Sequence, residues 1–200
     1  MARGSAKTKN THPSTFVALL RGINVGGKNQ LPMPTLAAMF SAEGCSEVRT
    51  YIQSGNVVFR ASSDVAARLG PLISQRIAKG FGYQIPILLR SDRELAEVLQ
   101  GNPFLGKSGI QESALHVMFL ADQPTPQRLA GLDRARSAPD TFAVRGREVY
   151  LHCPNGFGRT KLTNGYFDAR LATHSTCRNW RTTVTLSDLA RAPLTSSRAT

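Results

Sequence analysis

Two segments of the chain combine glycines with basic residues as phosphate-binding loops do. The first, GINVGGKN at residues 22–29, has the G-x-x-x-x-G-K spacing of a nucleotide-binding loop. Such a loop continues with Ser or Thr and a helix, whereas Asn29 follows here and two prolines, Pro32 and Pro34, prevent a helix from running out of the loop. The pattern therefore disfavours nucleotide hydrolysis.

Two interpretations of this first loop remain open. Its backbone N–H groups and Lys28 are suited to holding an anion. Alternatively, three glycines supply positive φ in an irregular turn: Gly22, Gly26 and Gly27. The next turn predicted along the chain is at Ser54-Gly55. Turn formation explains the polar residues beside it adequately, although their side chains also suit a ligand: Tyr51, Gln53, Ser54 and Asn56.

The second segment is PNGFGRTKLT at residues 154–163, which predicts a strand end, a loop containing Gly158, and a helix that begins near Thr160. The free N–H groups at a helix start attract phosphate or carboxylate. Arg159 and Lys161 would add two positive charges there, against the helix dipole. This placement predicts an anionic partner, which is either a ligand or an internal Asp or Glu.

A third segment, CRNWRT at residues 177–182, places the single tryptophan of the chain among basic residues. Aromatic and arginine side chains in alternation can stack on nucleic-acid bases. The residues that would do so are Arg178, Asn179, Trp180 and Arg181. The alternative is that Trp180 anchors the last helix to the core.

Composition describes a basic globular protein. The 200 residues include 25 Lys and Arg and 13 Asp and Glu, for a net charge of +12, and 41% are hydrophobic. The excess positive charge favours anionic partners, although a basic surface also simply aids solubility. No apolar run is long enough for a membrane span, and the polar N-terminus lacks a secretory signal, so we expect a cytoplasmic protein without a membrane partner.

Cysteine and histidine spacing predicts no metal site. The three cysteines are far apart and form no C-x-x-C pair, and the four histidines show no paired ligand spacing. We therefore expect neither a disulfide framework nor a bound metal, and no cofactor.

The order of predicted elements gives the fold. Residues 15–100 read as strand, helix, hairpin, helix and strand, followed by a linking helix that Ser91 caps with Glu94. Residues 101–190 repeat this order and end in a helix from Trp180 that Asn179 caps. Pro71 predicts a kink in the second helix, or two short helical segments in its place. We expect an α/β (α+β) protein of two ferredoxin-like βαββαβ halves packed together with a C-terminal helix, between a disordered basic tail at 1–14 and a flexible tail at 191–200.

Five motifs, in order, resemble the uncharacterised bacterial DUF1697 family: FVALLRGINVGGKN, TYIQSGNVVF, VRGREVYLH, GRTKL and RNWRT. The resemblance covers about residues 15–190. It implies a bacterial cytoplasmic α/β protein and brings no reaction with it. The motif residues are Arg21, Gly22, Asn24, Gly26, Gly27, Lys28, Gln53, Ser54, Gly55, Asn56, Gly158, Arg159, Lys161, Arg178, Asn179, Trp180 and Arg181.

Three functions compete. The first is binding of a phosphate-bearing or other anionic ligand, a nucleotide or nucleic acid, through the basic glycine-rich loops. The second is a small-molecule enzyme of unknown reaction with its active site between the two halves, against which no general base is identifiable. The third is a structural or interaction protein, for which no exposed apolar stripe is evident. The sequence does not give the oligomeric state.

Overall fold

The computed structural model describes residues 13–192. Of the two predicted tails, residues 1–12 and 193–200 lie outside the described residues. Ser14 already belongs to the first strand, and Arg191 is the last residue of the last helix.

The first half has six elements in the predicted order: β1 (Ser14–Leu20), α1 (Met33–Ala42), β2 (Ser46–Tyr51), β3 (Asn56–Ala61), α2 (Ser63–Phe81) and β4 (Ile87–Ser91). The strands form an antiparallel sheet in the order β2-β3-β1-β4. This order and connectivity are ferredoxin-like. Helix α3 (Asp92–Gln100) follows β4 without a loop.

The second half repeats the arrangement: β5 (Leu115–Leu120), α4 (Pro126–Ala130), β6 (Thr141–Arg145), β7 (Glu148–His152), α5 (Asn164–Leu171) and β8 (Ser175–Asn179). Its sheet has the order β6-β7-β5-β8, again antiparallel. Helix α6 (Trp180–Arg191) follows β8 directly, as α3 follows β4. The predicted pair of ferredoxin-like halves is confirmed.

The two halves share a middle core. In β1, Ala18 and Leu20 face α1 and α2, whereas Val17 and Leu19 face a cluster that also contains Trp180 of α6. That middle cluster combines the inner faces of both sheets with α3 and α6. A third cluster lies between the second sheet and α5. Because side chains alternate between the faces of a strand, burial of both faces requires the nearly continuous apolar run seen in β1.

The caps predicted for α3 and α6 are both present. Ser91 Oγ accepts from Glu94 N, and Glu94 Oε2 accepts from Ser91 N at 2.7 Å, which completes a capping box. Asn179 Oδ1 accepts from Thr182 N at 2.7 Å. Both caps are the last residue of a strand, so the last strand of each sheet leads directly into a helix that packs in the middle core.

The alternative of two short segments around Pro71 is wrong, because α2 is a single helix of 19 residues, and the kink stays a prediction. A proline crowds the Cβ of the residue before it. That residue is Gly70, which has no Cβ and which packs so closely on β4 that an added one would stand 3.2 Å from the Ile87 carbonyl oxygen. The helix therefore continues past the proline.

We expect Gly55→Ala to lower the free energy of unfolding by about 2–5 kcal/mol. Gly55 has φ of +77°, and an added Cβ would lie 2.7 Å from Leu20 Cβ. Gly26→Ala is the matched control, since Gly26 also has positive φ but nothing within 4 Å of an added Cβ. It should cost only about 1–2 kcal/mol. Urea unfolding of both variants measures the difference, and equal losses would contradict the close approach at Gly55.

Candidate functional site

The first glycine-rich loop is a tight hairpin. The Val25 carbonyl accepts from Lys28 N at 3.1 Å, and the two residues between them, Gly26 and Gly27, have φ of +58° and +74°. Two consecutive positive φ values are characteristic of a type I′ turn. Gly22 also has positive φ, so all three glycines have the backbone conformation that the turn interpretation predicts, and anion binding by the loop stays a prediction. The hairpin leaves Lys28 exposed beside it.

Asn24 attaches this hairpin to the neighbouring β2–β3 turn. Its Nδ2 donates to the carbonyls of Leu31 and Gln53, both at 2.9 Å, and its Oδ1 accepts from Leu31 N at 2.8 Å. A groove of about 380 Å³ lies between the two segments. We call it the loop–turn groove; it is lined by Asn24, Gly27, Gln30, Leu31, Pro32 and Gln53.

Arg178 lies buried directly behind the β2–β3 turn. Its Nε donates to Asn56 Oδ1 at 2.6 Å, and its Nη2 donates to the carbonyls of Leu20, Ser54 and Gly55 at 2.8, 3.2 and 3.2 Å. Its Nη1 donates to Thr176 Oγ1 and the Cys177 carbonyl, both at 2.8 Å. The guanidinium therefore holds the first half against the second and is bonded to protein oxygens.

Arg90, in the first half, makes the equivalent contacts to the second half. It is the fourth residue of β4, as Arg178 is of β8, and it is 1% exposed. Its Nη2 donates to the carbonyls of Leu120, at the end of β5, and Arg147, in the β6–β7 turn. Its Nε donates to Glu148 Oε1 at 2.9 Å. Each half thus inserts an arginine into the other, at equivalent positions.

The two arginines differ in one partner. Glu148 and Asn56 are the first residues of β7 and β3, and each accepts from the Nε of its arginine. Arg90 therefore has a carboxylate, whereas every hydrogen-bond acceptor of Arg178 is neutral. Burial lowers the pKa of Arg178 to about 10, which leaves it charged at pH 7. The result is a buried positive charge that no carboxylate balances among the contacts of Arg178.

Arg21 makes a further bridge between the halves. Its guanidinium is paired with Asp168 in α5, and the other oxygen of Asp168 accepts from Ser175 Oγ at 2.6 Å. Asn164 donates to the same Ser175 hydroxyl at 2.8 Å. The sequence pattern around Arg21 did not indicate Asp168, since the two residues are 147 positions apart.

The helix predicted to begin near Thr160 is wrong. Residues Phe157–Arg159 form a short 3-10 turn, Thr160 is extended at φ −69° and ψ 146°, and α5 begins at Asn164 with Thr163 as its cap. The Thr160 hydroxyl accepts from Leu162 N at 3.1 Å, which stabilises the extended turn instead of a helix. Gly158, Arg159 and Lys161 are exposed but do not lie at a helix N-terminus.

The RNWRT segment divides between the core and the surface. Trp180 is 3% exposed and packs in the middle core, which supports its role as an anchor of α6 and leaves no exposed ring for base stacking. Arg181 is exposed. Of the residues predicted from this segment, Arg178 has its guanidinium bonded within the protein, and Asn179 uses its Oδ1 as the cap of α6.

A second cleft, of about 320 Å³, lies between α3 and the β6–β7 turn and contains three carboxylates. Glu94 is paired with Arg147, and Glu148 is paired with Arg90. Glu97 lines the same cleft without an ion pair among the described residues. The enzyme hypothesis stays a prediction.

The cysteines are unsuited to nucleophilic chemistry. All three are free thiols. Burial raises the pKa of Cys45 and Cys153 to about 11 and that of Cys177 to about 12. Thiols with such pKa values are protonated at pH 7, and the thiolate is the reactive form.

Arg178→Lys should lower the free energy of unfolding by about 3 kcal/mol, because lysine keeps the charge but lacks the planar fork that reaches all six acceptors. Arg181→Lys makes the same exchange at an exposed position three residues away and should change stability by less than about 0.5 kcal/mol. Guanidinium chloride unfolding compares the two variants. An Arg178→Lys protein as stable as the parent would show that the six bonds are dispensable.

Among the helices of residues 13–192, none combines the length and apolar composition of a membrane span. No protein of curated function matches the chain. A solved structure of the conserved bacterial protein SP0830 from Streptococcus pneumoniae is similar in fold, with a TM-score of 0.70 and 20% identity, over 90% of this chain and 100% of that one. The family model for a protein of unknown function, DUF1697, matches residues 14–150. The chain therefore belongs to the DUF1697 family.

Proposed function

We propose that this protein binds a small phosphate-bearing ligand, such as a nucleotide, in the loop–turn groove. One observation carries the proposal: Arg178 is buried behind the β2–β3 turn with six neutral acceptors. Its equivalent in the other half, Arg90, has Glu148. An anion in the groove would balance the positive charge of Arg178, which the neutral side chain of Asn56 does not balance.

The electrostatic argument follows from burial. A charge removed from water is costly unless an opposite charge or strong hydrogen bonds compensate for it. Six hydrogen bonds satisfy the N–H groups of Arg178, but neutral oxygens do not cancel its field. In a low-dielectric interior this field extends further than it would in water. The carbonyl of Ser54, which Arg178 contacts, directly follows Gln53 at the edge of the groove.

The groove also offers groups that bind phosphate oxygens. Lys28 is an exposed cation that directly follows Gly27 of the groove lining, and the exposed residues Gln30 and Gln53 line the groove. Gly27 has no side chain and lets a ligand approach the backbone. The volume of about 380 Å³ suits a mononucleotide or a phosphorylated metabolite more than a large cofactor.

The decisive variant is Asn56→Asp, which places a carboxylate where Arg178 Nε already donates. It should raise the Kd for inorganic phosphate and for AMP about tenfold or more, corresponding to at least about 1.4 kcal/mol, because the buried charge is then balanced internally. Isothermal titration calorimetry measures the Kd. The amide that is lost donates to the Tyr51 carbonyl and to Ser54 Oγ, both at 3.2 Å, so circular dichroism must first show that the variant folds.

Two further variants complete this experiment. Lys28→Gln alters an exposed side chain and should weaken phosphate binding without loss of stability. Glu148→Gln removes the carboxylate from the equivalent pair in the other half and should leave the Kd unchanged. A parent protein that binds neither inorganic phosphate nor AMP, or an Asn56→Asp protein with the parental Kd, would overturn the proposed function.

A further inference from the structure

We propose that the outer face of the second half docks on the phosphate backbone of a nucleic-acid duplex, independently of the loop–turn groove. We call this surface the α5 basic face and define it by five exposed cations: Arg128, Arg134, Arg136, Lys161 and Arg170. Within residues 13–192, none of the five takes part in an ion pair.

Contacts on and beside α5 connect four of the five cations in two pairs, Arg136 with Lys161 and Arg128 with Arg170. The Arg136 guanidinium lies 4.2 Å from the centre of the Tyr166 ring, and its Nε donates to the Lys161 carbonyl at 3.1 Å. Arg170 is one helical turn beyond Tyr166 on the same side of α5. It lines a cleft of about 470 Å³ together with Arg128 of α4.

Two of the guanidinium groups are held in place before any ligand arrives. Arg136 is stacked on Tyr166, and Arg134 lies 4.8 Å from the centre of the Phe142 ring while its Nη1 donates to the Phe142 carbonyl at 3.1 Å. Stacking on an aromatic ring fixes an arginine and leaves its outer N–H groups free to bind. Less conformational entropy is then lost when a phosphate binds.

Neighbouring carboxylates do not cancel this charge. Asp168 belongs to α5 but is bonded to Arg21 and Ser175, and Asp140 is buried and accepts from the Ser137 hydroxyl at 2.7 Å. Asp133 is the exposed acid of the segment, and its carboxylate accepts from Ala135 N at 2.9 Å. The face therefore retains a net positive charge.

The chemistry of the face favours a duplex over other polyanions. Four of its five cations are arginines, whose planar fork matches phosphate oxygens. The rings beneath them, Tyr166 and Phe142, are 7% and 6% exposed, so they are not available to stack on the bases of a single strand. The exposed large apolar side chains of the described residues, Val25 and Ile52, lie in the first half, and the face therefore offers no anchor for a lipid surface.

Fluorescence anisotropy with a labelled 20-base-pair duplex of mixed sequence, titrated at several salt concentrations, tests the proposal. Five phosphate contacts predict a slope of log K against log salt of about −4.5. The double variant Arg136→Gln/Arg170→Gln should reduce the slope to about −2.7, because two contacts are lost. The matched control is Arg68→Gln/Lys79→Gln, which removes two exposed cations from α2, the equivalent helix of the first half, and should keep the parental slope.

Three outcomes would overturn the proposal. Equal loss in both double variants would show that net charge alone attracts the duplex. Binding of polyglutamate as tight as that of the duplex would show a general attraction for anions without preference for phosphate. An unchanged slope in Arg136→Gln/Arg170→Gln would place the duplex elsewhere. Asn56→Asp should leave duplex binding unchanged, so failure here is distinguishable from failure of the loop–turn groove.

Discussion

Two buried arginines join the halves of this protein, and the arrangement of the remaining structure depends on them. Each stands at the fourth position of the last strand of its half and donates to the end of the first strand and to the central turn of the other half. These bonds fix the strand ends and the central turn of each half against the other half. Because each half both gives and receives an arginine, neither half completes its hydrogen bonding alone.

These reciprocal arginine contacts also separate the motif residues that have structural roles from those that remain exposed. Most motif residues of the first half support the contacts of Arg178 or the loops beside them. Gly55 allows the close approach to Leu20, Asn56 accepts from Arg178, and Asn24 attaches the glycine-rich hairpin to the β2–β3 turn. They therefore serve positioning. In the proposed function, the ligand is bound by exposed groups that this framework presents, Lys28 and Gln53 above all, and by the charge of Arg178 behind them.

Local sequence signals were sufficient where a structure depends on neighbouring residues. The capping box of Ser91 and Glu94, the cap at Asn179 and the hairpin at Gly55 all follow from contacts within five residues along the chain, and all are present. Two local predictions were wrong, a break into two helical segments at Pro71 and a helix start near Thr160. Gly70 has no Cβ to crowd Pro71, and the Thr160 hydroxyl stabilises an extended turn.

The sequence by itself determined the element order, the repetition of that order and the alternating apolar faces, because these depend on periodicity and on local turn chemistry. Only the tertiary structure decided that Arg178 is buried and Lys28 is exposed, although both are basic residues in glycine- or asparagine-containing motifs. The physical reason is that burial and charge compensation are set by partners remote in sequence. Arg178 meets Asn56 across 122 positions, and Arg90 meets Glu148 across 58. The sequence contains one weak sign that Arg90 and Arg178 are equivalent. Each is followed directly by a helix-capping residue, Ser91 and Asn179.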